Sequence, residues 1–332
     1  MRFILIGAGS IGRRHLQNLL TLGHEVAAIA DVATQRLEEL RAAFPHAVCT
    51  DDADKALAQR ADAALICSPP TFHVPQARRA IERGLHVFIE KPLADSLADT
   101  EALAREVAAA KRVAFVACNL RFHPSLLLAK KLLDEGRIGR PLSVRAQIGY
   151  YLPFWRPQTD YRRGYGANKA MGGGVILDCI HEFDYLRWLL GEVTEVFCFA
   201  EKRTSLEIDV EDNADILLRF ASGTVANLHL DYIQRTYRRS CELIGEEGVI
   251  VWDYIAQTIH LYGKEDRQLQ VFPRNINSDL NQMFVDEMKH FVNCIQGREQ
   301  PALDVHGARI VMDIALAAKK SSEQKKVISL HR

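Results

Sequence analysis

The sequence has no excess of charge of either sign: Lys plus Arg and Asp plus Glu number 42 each among 332 residues. That balance removes the broad electrostatic argument for nucleic acid or an anionic membrane as partner. Long apolar runs are missing as well, and no stretch reaches the roughly 18–20 residues needed to cross a bilayer. The apolar opening from Phe3 to Ile6 is broken at once by Gly7, Gly9 and Gly12 and followed by Arg13 and Arg14, so it lacks the length and charge order of a secretory signal. The seven cysteines (Cys49, Cys67, Cys118, Cys179, Cys198, Cys241, Cys294) are odd in number, scattered, and contain no C-x-x-C pair. This argues against a disulfide framework or zinc knuckle and for a reducing cytoplasm. Internal repeats and low-complexity segments are absent too.

What is present is an ordinary globular composition, 48% hydrophobic and 25% charged. The chain is too long for one comfortable core, since single cores stop growing near roughly 250–300 residues, so two domains are expected. In residues 1–120, β-branched runs at Arg2–Ile6, Glu25–Ala30, Ala47–Cys49, Ala63–Cys67, His86–Ile89 and Val113–Ala117 alternate with helical stretches starting near Ile11, Ala33, Asp54, Phe72 and Ser96. Gly23 and Gly84 fall at helix ends and Ser96 at an N-cap. Six strands with helical crossovers make a doubly wound parallel sheet, the architecture of a dinucleotide-binding (Rossmann) domain.

Residues 121–332 read differently, as an α+β domain with an open, largely antiparallel sheet. A helix at Ser125–Glu135 precedes alternating runs at Leu142–Tyr151, Val193–Lys202, Ala214–Phe220, Thr224–Tyr232, Arg239–Ile244, Val249–Tyr254 and Thr258–Leu261, with turns at Ser222-Gly223 and Glu247-Gly248. Gly172-Gly173-Gly174 introduces one helix ending at Gly191, and two late helices fall near Asp279–Cys294 and Val305–Ser321, the last of which is free to pack back on the first domain.

Gly7-Ala8-Gly9-Ser10-Ile11-Gly12 follows a strand and opens a helix, the context that makes G-x-G-x-x-G informative. The first glycine permits a tight turn, the second lets backbone approach a pyrophosphate, the third lets helix pack on strand, and the helix N-terminus favours negative charge. Asp31, 19 residues past Gly12, ends the second strand, where a carboxylate accepts hydrogen bonds from ribose hydroxyls and repels a 2′-phosphate. NAD is therefore favoured over NADP, an exclusion that nearby Arg36 softens. A purely structural glycine turn with Asp31 as a helix cap is the competing explanation. Arg13 and His15, on the first turns of that helix, read as packing or solvated residues.

Beyond this motif, Ile66-Cys67-Ser68-Pro69-Pro70-Thr71-Phe72-His73, then Gly84 to Ala94 with Glu90-Lys91-Pro92, resembles the glucose-fructose oxidoreductase and inositol dehydrogenase (Gfo/Idh/MocA) family. The resemblance continues through Arg121-Phe122-His123-Pro124, the Gly172–Gly191 segment and the late helices. It implies a catalytic Lys91, with Ser68, Pro69, His73, Glu90 and Lys91 toward the cofactor and Arg121 toward the substrate. It also implies a second-domain sheet that mediates homodimer or homotetramer contacts. The residue types make their own case for Lys91: a lysine at the carboxyl end of a parallel strand points into the crevice where ligands bind, and its ammonium can stabilise developing alkoxide charge.

Asp178 and His181 stand three apart on the expected helix, which puts them on one face. An imidazole suits removal of the hydroxyl proton that hydride transfer leaves behind, with a carboxylate to orient it. The commoner family pattern spaces Asp and His by four with a glycine between, so one residue is missing here. His181 keeps its spacing to Asp184 and Trp188, whereas the role of Asp178 is put in doubt. Glu182 rivals Asp178 as supporting carboxylate, and Asp184 reads as pairing within the helix. A zinc site is rejected, since His181-Glu182 lacks a second histidine at Tyr185.

Trp155, Arg156, Arg162 and Arg163 lie in an aperiodic stretch rich in groups that stack on sugars and fork onto anions. They are candidates for a sugar-like, anionic substrate, with a solvated or subunit-contact loop as the alternative. The expected activity is NAD(H)-dependent oxidation of a secondary alcohol of a sugar, sugar acid, cyclitol or nucleotide sugar, or reduction of the matching ketone. Lys91 from the first domain and His181 from the second are expected to meet over the nicotinamide. Reduction of an imine, tetrapyrrole or dihydrodiol, and non-catalytic dinucleotide sensing, stay open.

Overall fold

The computed structural model describes residues 1–264, 270–272 and 279–330. These divide into two compact units: residues 1–119 with 280–310, and residues 120–279 with 311–332. The first unit thus recovers a late segment that the sequence reading assigned, apart from the last helix, to the second domain.

In the first unit, strands β1 (Arg2–Ile6), β2 (Glu25–Ala30), β3 (Val48–Thr50), β4 (Ala63–Ile66), β5 (His86–Ile89) and β6 (Ala114–Val116) form a parallel sheet in the order β3-β2-β1-β4-β5-β6. The central strand β4 is apolar along its whole length, as expected where helices cover both faces of a parallel sheet, and every one of its residues is buried. Between the strands run α1 (Ser10–Thr21), α2 (Thr34–Ala43), α3 (Ala53–Leu57), α4 (His73–Glu82) and α5 (Thr100–Ala110). The order reverses between β1 and β4, and at such a switch point the strand ends leave a crevice for ligands.

α1 buries Gly12, His15, Leu16 and Leu19, a stripe at helical spacing. Helices α1 and α4 end with Gly23 (φ +76°) and Gly84 (φ +75°) just beyond them. The expected start at Ser96 is displaced: α5 begins at Thr100, whose hydroxyl donates back to the Leu97 carbonyl at 2.8 Å. Buried Leu93 and Ala94 hold the preceding segment inward and delay the helix.

In the second unit, α6 (Pro124–Asp134) precedes β7 (Pro141–Gly149), followed by α7 (Leu152–Trp155), α8 (Val175–Asp178) and α9 (His181–Leu190). Then come β8 (Val193–Glu201), β9 (Asn213–Phe220), β10 (Val225–Asp231), β11 (Arg238–Gly245), β12 (Gly248–Asp253), β13 (Thr258–Gly263) and β14 (Gln270–Phe272). Helix α10 (Gln282–Ile295) belongs to the first unit, α11 (Val305–Gln324) begins in the first and continues in the second, and strand β15 (Ile328–Ser329) belongs to the second. The sheet order is β14-β13-β12-β11-β7-β10-β9-β8-β15, and among the described residues β7 and β10 are its one parallel pair. Buried and exposed residues alternate along β9, as expected of a sheet covered on one face. Strands β14 and β15, too short for a periodic signal, went unseen in the sequence.

The single helix expected between Gly172 and Gly191 is two. Helix α8 ends at Asp178, and Cys179 (φ −90°, ψ 30°) leaves helical geometry before α9 starts at His181. With one residue fewer than the common family spacing, the chain turns at 179–180. The argument that placed Asp178 and His181 on one continuous helical face therefore does not hold.

Candidate active site

The dinucleotide motif occupies the turn from β1 into α1. Gly7 has φ +91°, and a Cβ there would fall 2.5 Å from the Cys67 carbonyl carbon. At Gly12 a Cβ would sit 2.1 Å from the Gly7 carbonyl oxygen, so helix and turn close only on a hydrogen. At Gly9 a Cβ would meet nothing within 4 Å, which leaves open approach to the backbone at the N-terminus of α1, where Ser10 and Ile11 begin the helix. These are the requirements of a backbone cradle for a diphosphate.

Asp31 is buried at the end of β2. Its Oδ2 accepts the Ala8 N–H at 2.7 Å and its Oδ1 accepts the Ala33 N–H at 2.8 Å, so the carboxylate is fixed against the glycine turn itself. Arg36 Nη1 reaches both oxygens at 3.3–3.4 Å. The donor set and geometry fit a dinucleotide with free ribose hydroxyls.

The loops after β4 and β5 are tied together by His73. Its Nδ1 lies 2.8 Å from the Pro92 carbonyl oxygen and its Nε2 2.7 Å from that of Ser68, and burial lowers its pKa. Ser68 Oγ donates to Gln76 Oε1 at 2.6 Å, and Pro69 leads into a single turn of 3-10 helix. Glu90 ends β5 and its Oε2 accepts the Lys91 N–H at 3.0 Å, while Oε1 lies 2.7 Å from His15 Nε2. Burial pushes the Glu90 carboxyl up, but the hydrogen bond and charge of His15 and the charge and N–H of Lys91 outweigh it and hold the group below its usual range. The Lys91–Pro92 peptide bond is cis. Sequence reasoning missed His15, which sits on the buried stripe of α1 and braces the Lys91 loop from beneath. Its helical spacing to Gly12 and Leu19 was the available signal.

In the second unit, Asp178 is surrounded by phenols. Tyr150 Oη donates to its Oδ2 at 2.8 Å, Tyr232 Oη donates to the same oxygen at 3.1 Å, and Tyr165 Oη donates to Oδ1. His181 is partly exposed at the first position of α9. Glu182, the rival support for His181, is fully buried and bound by Arg239 through Nε at 2.7 Å and Nη2 at 3.0 Å. Asp184 pairs across to another element rather than within its helix: Arg121 forks onto it at 3.0 and 2.6 Å. That ion pair ties the Arg121 guanidinium to α9.

The loop candidates separate as well. Arg162 is held by Asp160 at 2.8 and 3.0 Å and by Glu207 at 3.1 Å. Arg156 and Arg163 are exposed. Trp155, 47% exposed, lies against Tyr150 with ring centroids 4.5 Å apart and against Tyr237 at 5.3 Å. The aromatic wall is thus continuous with the Asp178 cluster.

Two family models match the chain, one in each half. Residues 1–118 match the model described as an oxidoreductase family with an NAD-binding Rossmann fold, and residues 126–251 match the GFO/IDH/MocA C-terminal domain. A myo-inositol 2-dehydrogenase from Thermotoga maritima is 30% identical over 353 residues, covering 99% of this chain and 98% of that protein. Among solved structures, levoglucosan dehydrogenase in complex with NADH is 22% identical with a TM-score of 0.91, over 100% of this chain and 99% of the other. The WlbA dehydrogenase from Bordetella pertussis, in complex with NADH and UDP-GlcNAcA, is 23% identical with a TM-score of 0.86, again over 100% and 99%. At these identities the two structures speak for the fold.

Proposed function

Because the chain belongs to the GFO/IDH/MocA oxidoreductase family, with an NAD-binding Rossmann half, we propose that it oxidises a secondary alcohol of a cyclitol or sugar, or reduces the matching ketone. The observation that carries this reading is the braced Glu90-Lys91-Pro92 loop at the carboxyl end of β5, on the same sheet as the glycine turn and Asp31. Support comes from the myo-inositol 2-dehydrogenase relative, which spans both units.

The turn at Gly7, Gly9 and Gly12 and the Asp31 carboxylate would hold NAD, which would supply the hydride acceptor for the carbinol carbon. Lys91 then hydrogen-bonds the carbinol oxygen and stabilises the alkoxide charge that develops on it. His181 takes the hydroxyl proton, for which an imidazole near neutrality is suited. Asp178 accepts a hydrogen bond from a substrate hydroxyl, and Trp155 stacks on the ring. Ser10, Ile11, Ser68, Pro69 and His73 line the cofactor side, and Gly9 admits the diphosphate.

The substrate carries an anionic group in this reading, recognised by Arg156 or Arg163. The UDP-GlcNAcA bound to the WlbA dehydrogenase is a precedent within the fold. Homodimer or homotetramer contacts are assigned to the open face of the nine-stranded sheet, where Phe199 and Leu217 are 59% and 45% exposed. A reducing cytoplasm suits the seven scattered cysteines, which contain no C-x-x-C pair.

A panel of polyols, sugar acids and nucleotide sugars with NAD and NADP, read by absorbance of the reduced cofactor, tests the activity. Turnover with at least one polyol or sugar is the expected result, and none across the panel would count against the reading. Equal activity on a neutral polyol and its acidic analogue would remove the anionic group.

A further inference from the structure

The three phenols around Asp178 come from the fold's topology. Strands β7 and β10 are parallel and in register, Gly149 opposite Asp231, so the next residues, Tyr150 and Tyr232, leave neighbouring strand ends side by side. Their ring centroids are 5.4 Å apart, and both hydroxyls donate to Asp178 Oδ2. An antiparallel pair would send two such residues to opposite edges of the sheet. Tyr165 arrives from the other side on a loop that packs close at Gly166, where a Cβ would lie 3.2 Å from Tyr232 Oη and 3.3 Å from Asp178 Oδ2.

The proton balance of this cluster is one-sided. A phenol ionises near 10 and an aspartic acid near 3.9, so each shared proton stays on the tyrosine. Burial, and then the Asp178 charge, push Tyr150 and Tyr232 well above the ordinary phenol value, which keeps them donors. A carboxylate that accepts two or three hydrogen bonds is correspondingly hard to protonate. Other titratable groups near it, among the described residues, include Cys179 beside it, His181 three residues on, Glu211, which accepts from the Ile176 N–H of the same helical turn, and Tyr237, whose ring lies 6.4 Å from that of Tyr150.

We propose that Tyr150, Tyr165 and Tyr232 are positioning residues that keep Asp178 ionised and aimed, making it a fixed acceptor for a substrate hydroxyl and leaving proton removal to His181. The substrate half of this statement rests on the dehydrogenase reading, whereas the phenol cradle does not. Asp178 is then neither base nor acid. Its proton occupancy stays constant while the hydroxyl proton passes to the imidazole.

The test is a carbon-13 NMR titration of aspartate-labelled enzyme without cofactor or substrate, with Asp178→Asn identifying the resonance. Tyr150→Phe, Tyr165→Phe and Tyr232→Phe, each of which removes one donor from the carboxylate, are expected to raise the Asp178 midpoint by about one unit relative to the unmodified enzyme. A midpoint unmoved in all three variants overturns the cradle. Should either strand-end variant fail to fold, Tyr165→Phe on the partly exposed loop carries the same titration. Wild-type KM and turnover in Asp178→Asn would overturn the acceptor role. Because the titration needs no substrate, its failure is distinct from a failure of the polyol panel.

Discussion

His15 and Glu90 meet at 2.7 Å inside the first unit, with side chains 0% and 9% exposed. An ionised carboxylate only accepts, so His15 Nε2 carries the proton, and Nδ1 has no hydrogen-bond partner among the described residues. The ring is packed edge-on against Phe88 at 4.9 Å. This contact links the helix that follows the dinucleotide turn to the loop that carries Lys91. Replacing His15 with Phe keeps the packing but strips Glu90 of its buried donor, at a cost of about 1–3 kcal/mol. A lowered Tm and reduced kcat are expected in His15→Phe, with partial recovery in His15→Phe/Glu90→Gln, where no charge is left to satisfy. Equal Tm in all three proteins would mean that the pair contributes nothing.

Lys91 is assigned to the reacting oxygen, so its loss is expected to strike chemistry rather than cofactor binding. Lys91→Ala should lower kcat by at least about a hundredfold, the scale of removing one transition-state donor. NADH affinity, read by fluorescence, should change little. Undiminished turnover would reassign the catalytic group.

Asp31 is held by two backbone N–H groups and approached by Arg36, a geometry that serves a ribose and repels a phosphate. Asp31→Ser removes the repulsion and releases Arg36 toward a 2′-phosphate. Loss of charge-assisted hydrogen bonds of about 1.5–3 kcal/mol corresponds to roughly a ten- to hundredfold rise in KM for NAD. The kcat/KM ratio of NADP to NAD should rise in Asp31→Ser and fall back in Asp31→Ser/Arg36→Ala. A ratio unaffected by either change would place the discrimination elsewhere.

The first unit was legible in the sequence because its signals are local: β4 is apolar along its length, and Gly7 and Gly12 each meet a separate steric demand within one turn. What escaped notice depends on partners far along the chain. Nothing near Glu182 in sequence announces Arg239, and nothing near Asp178 announces Tyr232, because the packing of helices on the sheet brings them together. The break at Cys179 was half legible. The missing residue was visible, but a shortened spacing does not say whether a helix continues out of register or turns, and here it turns.

Glu182 and Arg239 form a buried bidentate pair, 0% and 9% exposed. Removing one member leaves an uncompensated charge, which costs about 3–5 kcal/mol, while replacing both with apolar groups of similar volume is often neutral. Arg239→Met should therefore lower Tm sharply, and Arg239→Met/Glu182→Leu should regain most of it. A double variant as unstable as the single one would show that the ion pair holds α9 on β11 in a way packing cannot replace.

His229 bridges two carboxylates on the second sheet, with Nδ1 2.7 Å from Asp215 Oδ1 and Nε2 3.1 Å from Asp231 Oδ2. Both nitrogens donate only when the ring is protonated. The hydrogen bond to Asp231 pushes its pKa up, burial opposes this, and Asp215 adds to the rise, which reaches about 9. An unfolded histidine titrates near 6.5, so between these values the folded chain holds the proton more tightly. The resulting stabilisation is fully present below about pH 6.5 and is lost as pH rises through about 9. The side chain is 34% exposed, so solvent and salt screen part of the effect. Tm of the unmodified protein should therefore fall more steeply between pH 7 and pH 10 than that of His229→Gln, a difference that shrinks in high salt. Parallel Tm curves for the two proteins would show that the imidazole is not charged in the fold.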